Sequence, residues 1–412
     1  MAVERLNAKT MGFALRSSLA IAILVFGIYI ADTDSPRLMA FGLALFALPL
    51  LFQLLPFPLV RAYALWFGVF LVVQSFLPLF NERDYFHHVP NLTRFVDAKT
   101  AEATGGAGPQ RITTDEQGFR VVPAVDYSQE SDLRIFAIGG STTDEYNIND
   151  EETWTHRVQL ALANEFSRRI EVINTGVSGL LTPHHLATLR YVLDLHPNMA
   201  IFLVGANDWS FDIRQEFGDD VKPRGLAFED TPLAELATAA FHRVFRETAF
   251  GSIRATGFIP LGGSLRRERK IAWFPERASD RYVANLRLIG NACREARLTC
   301  VFLTQPSGYQ SNATEALKDM FWMSPPAASY TLTFESLVRV AEVYNQALMN
   351  FGKENGFSVC DLAPRIEPTV ENFVDEFHFT FKGSERVAAA VSDCLKPLAA
   401  NALSKRSQVQ RR

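Results

Sequence analysis

Four short stretches carry side chains capable of chemistry, and they follow one another along the chain. They are Gly139-Gly140-Ser141-Thr142-Thr143, Asn174-Thr175-Gly176-Val177-Ser178-Gly179, Gly205-Ala206-Asn207-Asp208 and Asp375-Glu376-Phe377-His378. A serine hydroxyl becomes a useful nucleophile when a base takes its proton, and the base works best when a carboxylate fixes its tautomer. Ser141, His378 and Asp375 supply those three groups. Attack on an acyl carbon creates an oxyanion, which needs donors placed in advance. The Gly179 N–H, the Asn207 side-chain amide and the Ser141 N–H are the candidate oxyanion donors. The missing Cβ of Gly179 permits close backbone approach.

Taken singly, each stretch has an ordinary explanation. Gly-x-Asn-Asp suits a turn, and Gly-Gly-Ser-Thr-Thr also suits a helix N-cap or an anion-binding loop. The decisive feature is where they fall relative to the elements around them. Apolar runs at 133–138, 170–173, 199–204, 300–304 and 357–360 read as buried strands. Helical periodicity fills 154–166, a segment after Pro183, 281–296, 334–351 and 381–395. Strands alternating with helices predict an α/β fold with a parallel sheet of about five strands. In such sheets, sites gather at the carboxyl ends of the strands. The first three motifs each follow a predicted strand directly, and Asp375 and His378 follow the fifth across a longer loop.

The remainder of the chain frames this domain. Of its 412 residues, the first 80 or so differ in character from the rest. Apolar runs at 12–31, 38–60 and 62–81 are each about long enough to cross a bilayer. They predict a three-helix transmembrane anchor over residues 1–81. Arg5, Lys9 and Arg16 place the N-terminus in the cytoplasm by the positive-inside rule, so three crossings put the rest of the chain outside. A linker or apron is expected over 82–131, the catalytic domain over 132–397, an insertion over 209–278 and a basic disordered tail over 398–412. His87 and His88 then fall at the membrane interface. His184 and His185 read as surface residues at a helix start, and Asp144 as part of the turn after the serine motif.

The four cysteines, Cys293, Cys300, Cys360 and Cys394, all fall in the exported part. An even count there permits two disulfides in any of three connectivities, with free thiols as the alternative. No Cys/His spacing suggests a metal site, and no cofactor is expected. A net charge of -4 excludes a nucleic-acid partner for the chain as a whole.

The constellation resembles the SGNH (GDSL-like) hydrolase family, named for Ser, Gly, Asn and His. Ser141 matches its nucleophile, Gly179 and Asn207 its oxyanion donors, His378 its base and Asp375 the partner of that base. Thr380 and Gly383 continue the family's Asp-x-x-His-x-Thr-x-x-Gly pattern. The resemblance covers about residues 132–397 and implies a flavodoxin-like αβα sandwich. Gly140 stands where the Gly-Asp-Ser form has Asp, as in membrane-anchored bacterial members; that Asp is outside the triad. The insertion at 209–278 departs from the family, so its substrates do not carry over.

The expected function is a membrane-anchored, exported serine esterase working through an acyl-Ser141 intermediate. Its expected substrates are O-acyl esters, O-acetyl above all, of an envelope glycan or lipid. The alternatives are an O-acyltransferase that moves an acyl group onto an envelope saccharide, with a membrane partner as acyl donor, and a catalytically idle binding or assembly module. The expected partners are an acylated saccharide or lipid and the bilayer itself.

Overall fold

The computed structural model describes residues 85–96, 102, 104–106, 110–123, 125–224, 262–325 and 329–410. The three predicted membrane spans and the middle of the 209–278 insertion lie outside the described residues. Among the described residues, no helix is long and apolar enough to cross a membrane. Contacts divide the chain into two units, and every described residue belongs to the second, Arg83–Asp230 with Ala234–Arg412.

Among the described residues, nine strands run in chain order: β1 (Thr93–Val96), β2 (Gln110–Thr113), β3 (Leu133–Gly139), β4 (Ile170–Asn174), β5 (Met199–Leu203), β6 (Arg269–Ile271), β7 (Thr299–Leu303), β8 (Tyr330–Leu332) and β9 (Ser358–Cys360). β1 and β2 form an antiparallel pair, and β6 and β8 a parallel one. The other five make one parallel sheet in the order β4-β3-β5-β7-β9. Every residue of β3, β4 and β5 is buried, as expected of parallel strands covered on both faces. All five predicted strands of this sheet are present, each within a residue of its expected bounds.

Among the described residues, eight α-helices accompany the strands: α1 (Ser141–Asp144), α2 (Trp154–Phe166), α3 (Thr182–Val192), α4 (Ala206–Glu216), α5 (Asp280–Glu295), α6 (Glu315–Lys318), α7 (Phe334–Asn355) and α8 (Phe381–Gln410). The long helices start at hydroxyl caps: the side chains of Thr153, Ser279 and Thr333 accept from the third residue of α2, α5 and α7. α2 packs against α8, and α5 packs against both α3 and α7, so two helix groups cover the sheet.

Numbered within this sheet, the strand order is 2-1-3-4-5, the flavodoxin-like arrangement. The chain leaves β3 to one side for β4 and returns to the other side for β5. That reversal opens a crevice at the carboxyl ends of β3 and β5, where a doubly wound sheet places its ligands.

One expectation needs correction. The expected disordered tail is helical: α8 runs through Pro397 to Gln410. Val387, Val391, Leu395 and Ala399 recur every four residues and are buried, and Leu398, Ala402 and Leu403 also meet the core. Continued burial of that face outweighs the amide lost at proline. α4 begins at Ala206 and runs to Glu216, so the first residues of the expected insertion continue a helix. Asn207 sits in the first turn of that helix, directly after β5.

The cysteines pair as Cys293–Cys300 and Cys360–Cys394. The first bond joins the end of α5 to β7. The second joins the end of β9 to α8.

Candidate active site

β3 ends at Gly139, and the chain turns directly into α1, whose first residue is Ser141. The turn is tied from several sides. The N–H groups of Thr143 and Asp144 donate to the Gly140 carbonyl at 3.0 and 2.9 Å. The Asn174 amide donates to the Thr143 carbonyl at 2.6 Å, and the Trp154 indole to that of Thr142 at 3.1 Å. A Cβ on Gly140 would stand 2.7 Å from Asn207 Nδ2, so this position admits no side chain without moving that amide.

His378 reaches Ser141 from the far end of the domain. Its Nε2 lies 2.7 Å from Ser141 Oγ, and its Nδ1 lies 2.6 Å from Asp375 Oδ2. A carboxylate only accepts, so Nδ1 carries the hydrogen and Nε2 is left to accept the serine proton. The two residues share a tight loop in which the Val374 N–H donates to the His378 carbonyl at 2.9 Å. Asp375 is wholly buried, and Ser141 and His378 are each 9% exposed.

Charge survives there because donors surround it. Asp375 Oδ1 accepts from the N–H groups of Phe377 and His378, both at 2.8 Å, and Oδ2 also accepts from the Trp322 indole at 2.8 Å. Burial raises a carboxyl's pKa, yet the His378 charge and these donors leave that of Asp375 below the usual range. Burial likewise opposes a charged imidazole, but the Asp375 carboxylate raises His378 above its ordinary value.

The two other motifs arrive beside this pair. Gly179 has φ of +80°, and a Cβ there would meet nothing within 4 Å, so the turn faces open space. Asn207 donates its side-chain amide to the Leu180 carbonyl at 3.0 Å. That bond ties the first turn of α4 to the loop that carries Gly179. The structure thus brings the nucleophile turn, the Gly179 loop and Asn207 together at the switch point between β3 and β5, and closes the set with His378 and Asp375.

Several polar residues of this region stand elsewhere than the sequence suggests. His184 and His185 are buried rather than on the surface. His184 Nδ1 accepts from the Leu181 N–H at 2.9 Å, and burial lowers the pKa of His185 to about 3. Asp144 belongs to α1 and is buried, not in an open turn. One of its partners is His88, whose Nε2 lies 2.9 Å from Asp144 Oδ1. His87 bonds the His88 carbonyl through Nδ1 at 2.6 Å. Trp322 and Tyr146, whose ring meets that of His378 edge-on at 5.7 Å, belong to no motif and escape sequence reasoning. Among the described residues, no group of three or more His, Cys, Asp or Glu side chains is arranged to hold a metal ion.

Residues 137–386 match the GDSL-like lipase/acylhydrolase family, which is more than half of the chain. The chain belongs to that family. Its members are esterases and lipases, and the protein is an ester hydrolase of this type. No curated protein sequence matches it. Solved structures similar to it include LAE5, an alpha/beta hydrolase enzyme from the metagenome of Lake Arreo, at 14% identity over 66% of this chain and 99% of that one, with a TM-score of 0.38. A mutant of Axe2, an acetylxylan esterase from Geobacillus stearothermophilus, matches at 14% identity over 64% and 94%, also with a TM-score of 0.38. The acetyl xylan esterase AlAXEase matches at 12% identity over 64% and 100%, with the same score.

Proposed function

We propose that this GDSL-family hydrolase is a membrane-anchored, exported serine esterase that removes acyl groups, acetyl foremost, from an envelope glycan or lipid. One observation carries the chemistry: the unbroken line from Ser141 Oγ through both His378 nitrogens to Asp375, at 2.7 and 2.6 Å.

In the proposed reaction, His378 Nε2 takes the Ser141 proton as Oγ bonds to the acyl carbon. The resulting oxyanion is held by the N–H groups of Ser141 and Gly179 and the Asn207 amide. The bond to the alcohol oxygen then breaks, and His378 passes its proton to the leaving alcohol. A water molecule repeats the sequence on acyl-Ser141 and releases the acid. A preorganised oxyanion donor is typically worth about 10²–10³ in rate.

The location rests on other features. The apolar runs at 12–31, 38–60 and 62–81 support an anchor, and the basic residues before the first support an outward catalytic domain. The two disulfides suit an oxidising compartment. A catalytic domain tethered there meets envelope glycans and lipids first.

The test compares acyl groups on envelope glycans and lipids, by mass analysis, in cells carrying wild type or Ser141→Ala. Loss of the hydroxyl should leave one acylated class enriched and should abolish labelling by a fluorophosphonate probe. Depletion of an acylated glycan in the variant would instead assign transfer to a sugar hydroxyl. Esterase activity that survives Ser141→Ala removes the mechanism. A C-terminal reporter active only in the cytoplasm removes the export.

A further inference from the structure

The Gly179 N–H belongs to the peptide joining Ser178 to Gly179, so its direction is set by the torsions on either side of that peptide. Glycine leaves its own torsion soft. The loop lies between β4 and α3, beyond the ladder that fixes the strands, so something else must hold that peptide plane.

Asp144 is placed to do so. It stands three residues after Ser141 at the end of α1, with its side chain 1% exposed. Its Oδ2 accepts from Ser178 Oγ at 3.0 Å, and its Oδ1 from His88 Nε2 at 2.9 Å. The same His88 nitrogen lies 3.1 Å from the Gly176 carbonyl. Both are acceptors, so His88 Nε2 carries the hydrogen. The Arg120 guanidinium sits 3.8 Å from Asp144 Oδ1 and donates to the Glu145 carbonyl at 3.0 Å, which holds the end of α1. One carboxylate thus grips the residue just before Gly179, and its imidazole partner grips the residue three before it. At the loop's exit, Thr182 Oγ1 donates to Asp208 at 2.8 Å, beside Asn207. From the outside, Phe86 packs against Val177 and Leu180.

We propose that Asp144, Ser178 and His88 are positioning residues that aim the Gly179 N–H at the oxyanion, coupling the nucleophile helix to its oxyanion loop. None of them touches the reacting atoms. This rests on the serine esterase reading above. His88 and Phe86 also make the segment just before β1 part of the oxyanion loop's support.

The mildest test is Ser178→Ala in the full-length chain, assayed on a small acetyl ester. Releasing the peptide plane should lower kcat by about 10–100-fold, below the ceiling of one whole donor lost. KM should stay within about twofold, because the ground-state carbonyl gains little from an oxyanion donor. The affinity for a boronic acid that mimics the tetrahedral adduct should fall with kcat, and Ser178→Thr, which keeps a hydroxyl, should recover most of both. His88→Ala should shift kcat in the same direction by a smaller factor. Wild-type kcat in Ser178→Ala overturns the proposal, as does a loss that follows melting temperature and is not recovered by Ser178→Thr. Ser141→Ala separates the two readings: if it stays active, the esterase site is wrong, and if it is dead while Ser178→Ala is unimpaired, only the positioning role fails.

Discussion

Gly140→Ala is the sharpest probe of the site, because its effect should pass through a different residue. The φ of Gly140 is −89°, so the substitution adds a methyl group without demanding a left-handed backbone. That methyl carbon would stand 2.7 Å from Asn207 Nδ2 and 3.7 Å from the Leu180 carbonyl oxygen. Non-bonded contacts settle at roughly 3.5–4.0 Å, so the amide must retreat by about 1 Å. The amide is the free end of a side chain and can move, which keeps the fold intact. Its bond to Leu180 at 3.0 Å is stretched or lost, for about 1 kcal/mol of stability. Its alignment with the oxyanion goes too, and a displacement of that size can cost about 10² in rate. Asn207→Ala removes the same donor outright and should cost about 10²–10³ in kcat. If the methyl group acts through the amide, the double variant is no worse than Asn207→Ala alone. The assay is kcat and KM on a small acetyl ester for the four members of the cycle, with melting temperatures alongside. Losses that multiply in the double variant would refute the reasoning, because Gly140 and Asn207 would then act independently.

Trp322→Phe deletes one of the donors on buried Asp375 and should lower stability by about 1.5–3 kcal/mol in urea, the usual range for a hydrogen bond to a charged group; an unchanged midpoint would show that the indole N–H does not matter there. Replacing both Cys360 and Cys394 by Ser opens a link spanning 34 residues, which a chain-entropy account values at about 4 kcal/mol at 25 °C. The loss should appear in denaturant unfolding and should not appear in wild type kept oxidised. His378 must be neutral to act as a base, so kcat/KM should rise with pH, with a midpoint above the ordinary imidazole value of about 6.5. Asp375→Asn leaves burial unopposed and should move that midpoint downward in the residual rate of fluorophosphonate labelling. The linkage has a matching sign: the native state holds this proton more tightly than the unfolded chain. The stabilisation is therefore complete below the unfolded pKa and lost as pH rises through the folded one, which pH-dependent melting can follow.

The parts of this domain legible in the sequence are those with local causes. β3, β4 and β5 are short apolar runs, each followed by a chemistry-bearing motif, and burial on both faces of a parallel sheet leaves such runs no polar alternation to confuse them. Ser141, Gly179, Asn207, Asp375 and His378 are legible for the same reason. What escapes depends on distant partners. Trp322 meets Asp375 across 53 residues, and His88 meets Asp144 across 56, with no periodicity or spacing to announce either. His184 and His185 carry polar side chains at a helix start, which suggests exposure, yet neighbouring elements cover them. Pro397 looks like a helix stop and is overridden by the apolar face that continues past it. The cysteine pairing follows from which helix ends meet which strand ends, a tertiary fact.

The charges buried around the catalytic end point to what the fold must solve there. Parallel strands fix β3 and β5 by their ladders, but Ser141, Gly179 and Asn207 lie in the turns beyond the ends of β3, β4 and β5, where no ladder reaches. Those turns are held instead by ionised groups. Arg120 binds the carbonyls of Glu145 and Ile148 and the Asp150 carboxylate, Asp144 binds Ser178 and His88, and Asp208 binds Thr182 and Arg281. Such pairs add little net stability, because the desolvation of each ion offsets most of the attraction. Burial raises the Asp208 pKa to about 6 even with Arg281 at 3.0 Å, in keeping with that cost. Apolar packing would stabilise the same turns at less expense, but it is non-directional and would leave the peptide planes free to choose among several orientations. A carboxylate that accepts from a named hydroxyl admits few. Directional contacts of this kind are what an oxyanion site needs, because a donor displaced by an ångström forfeits most of its effect on the transition state.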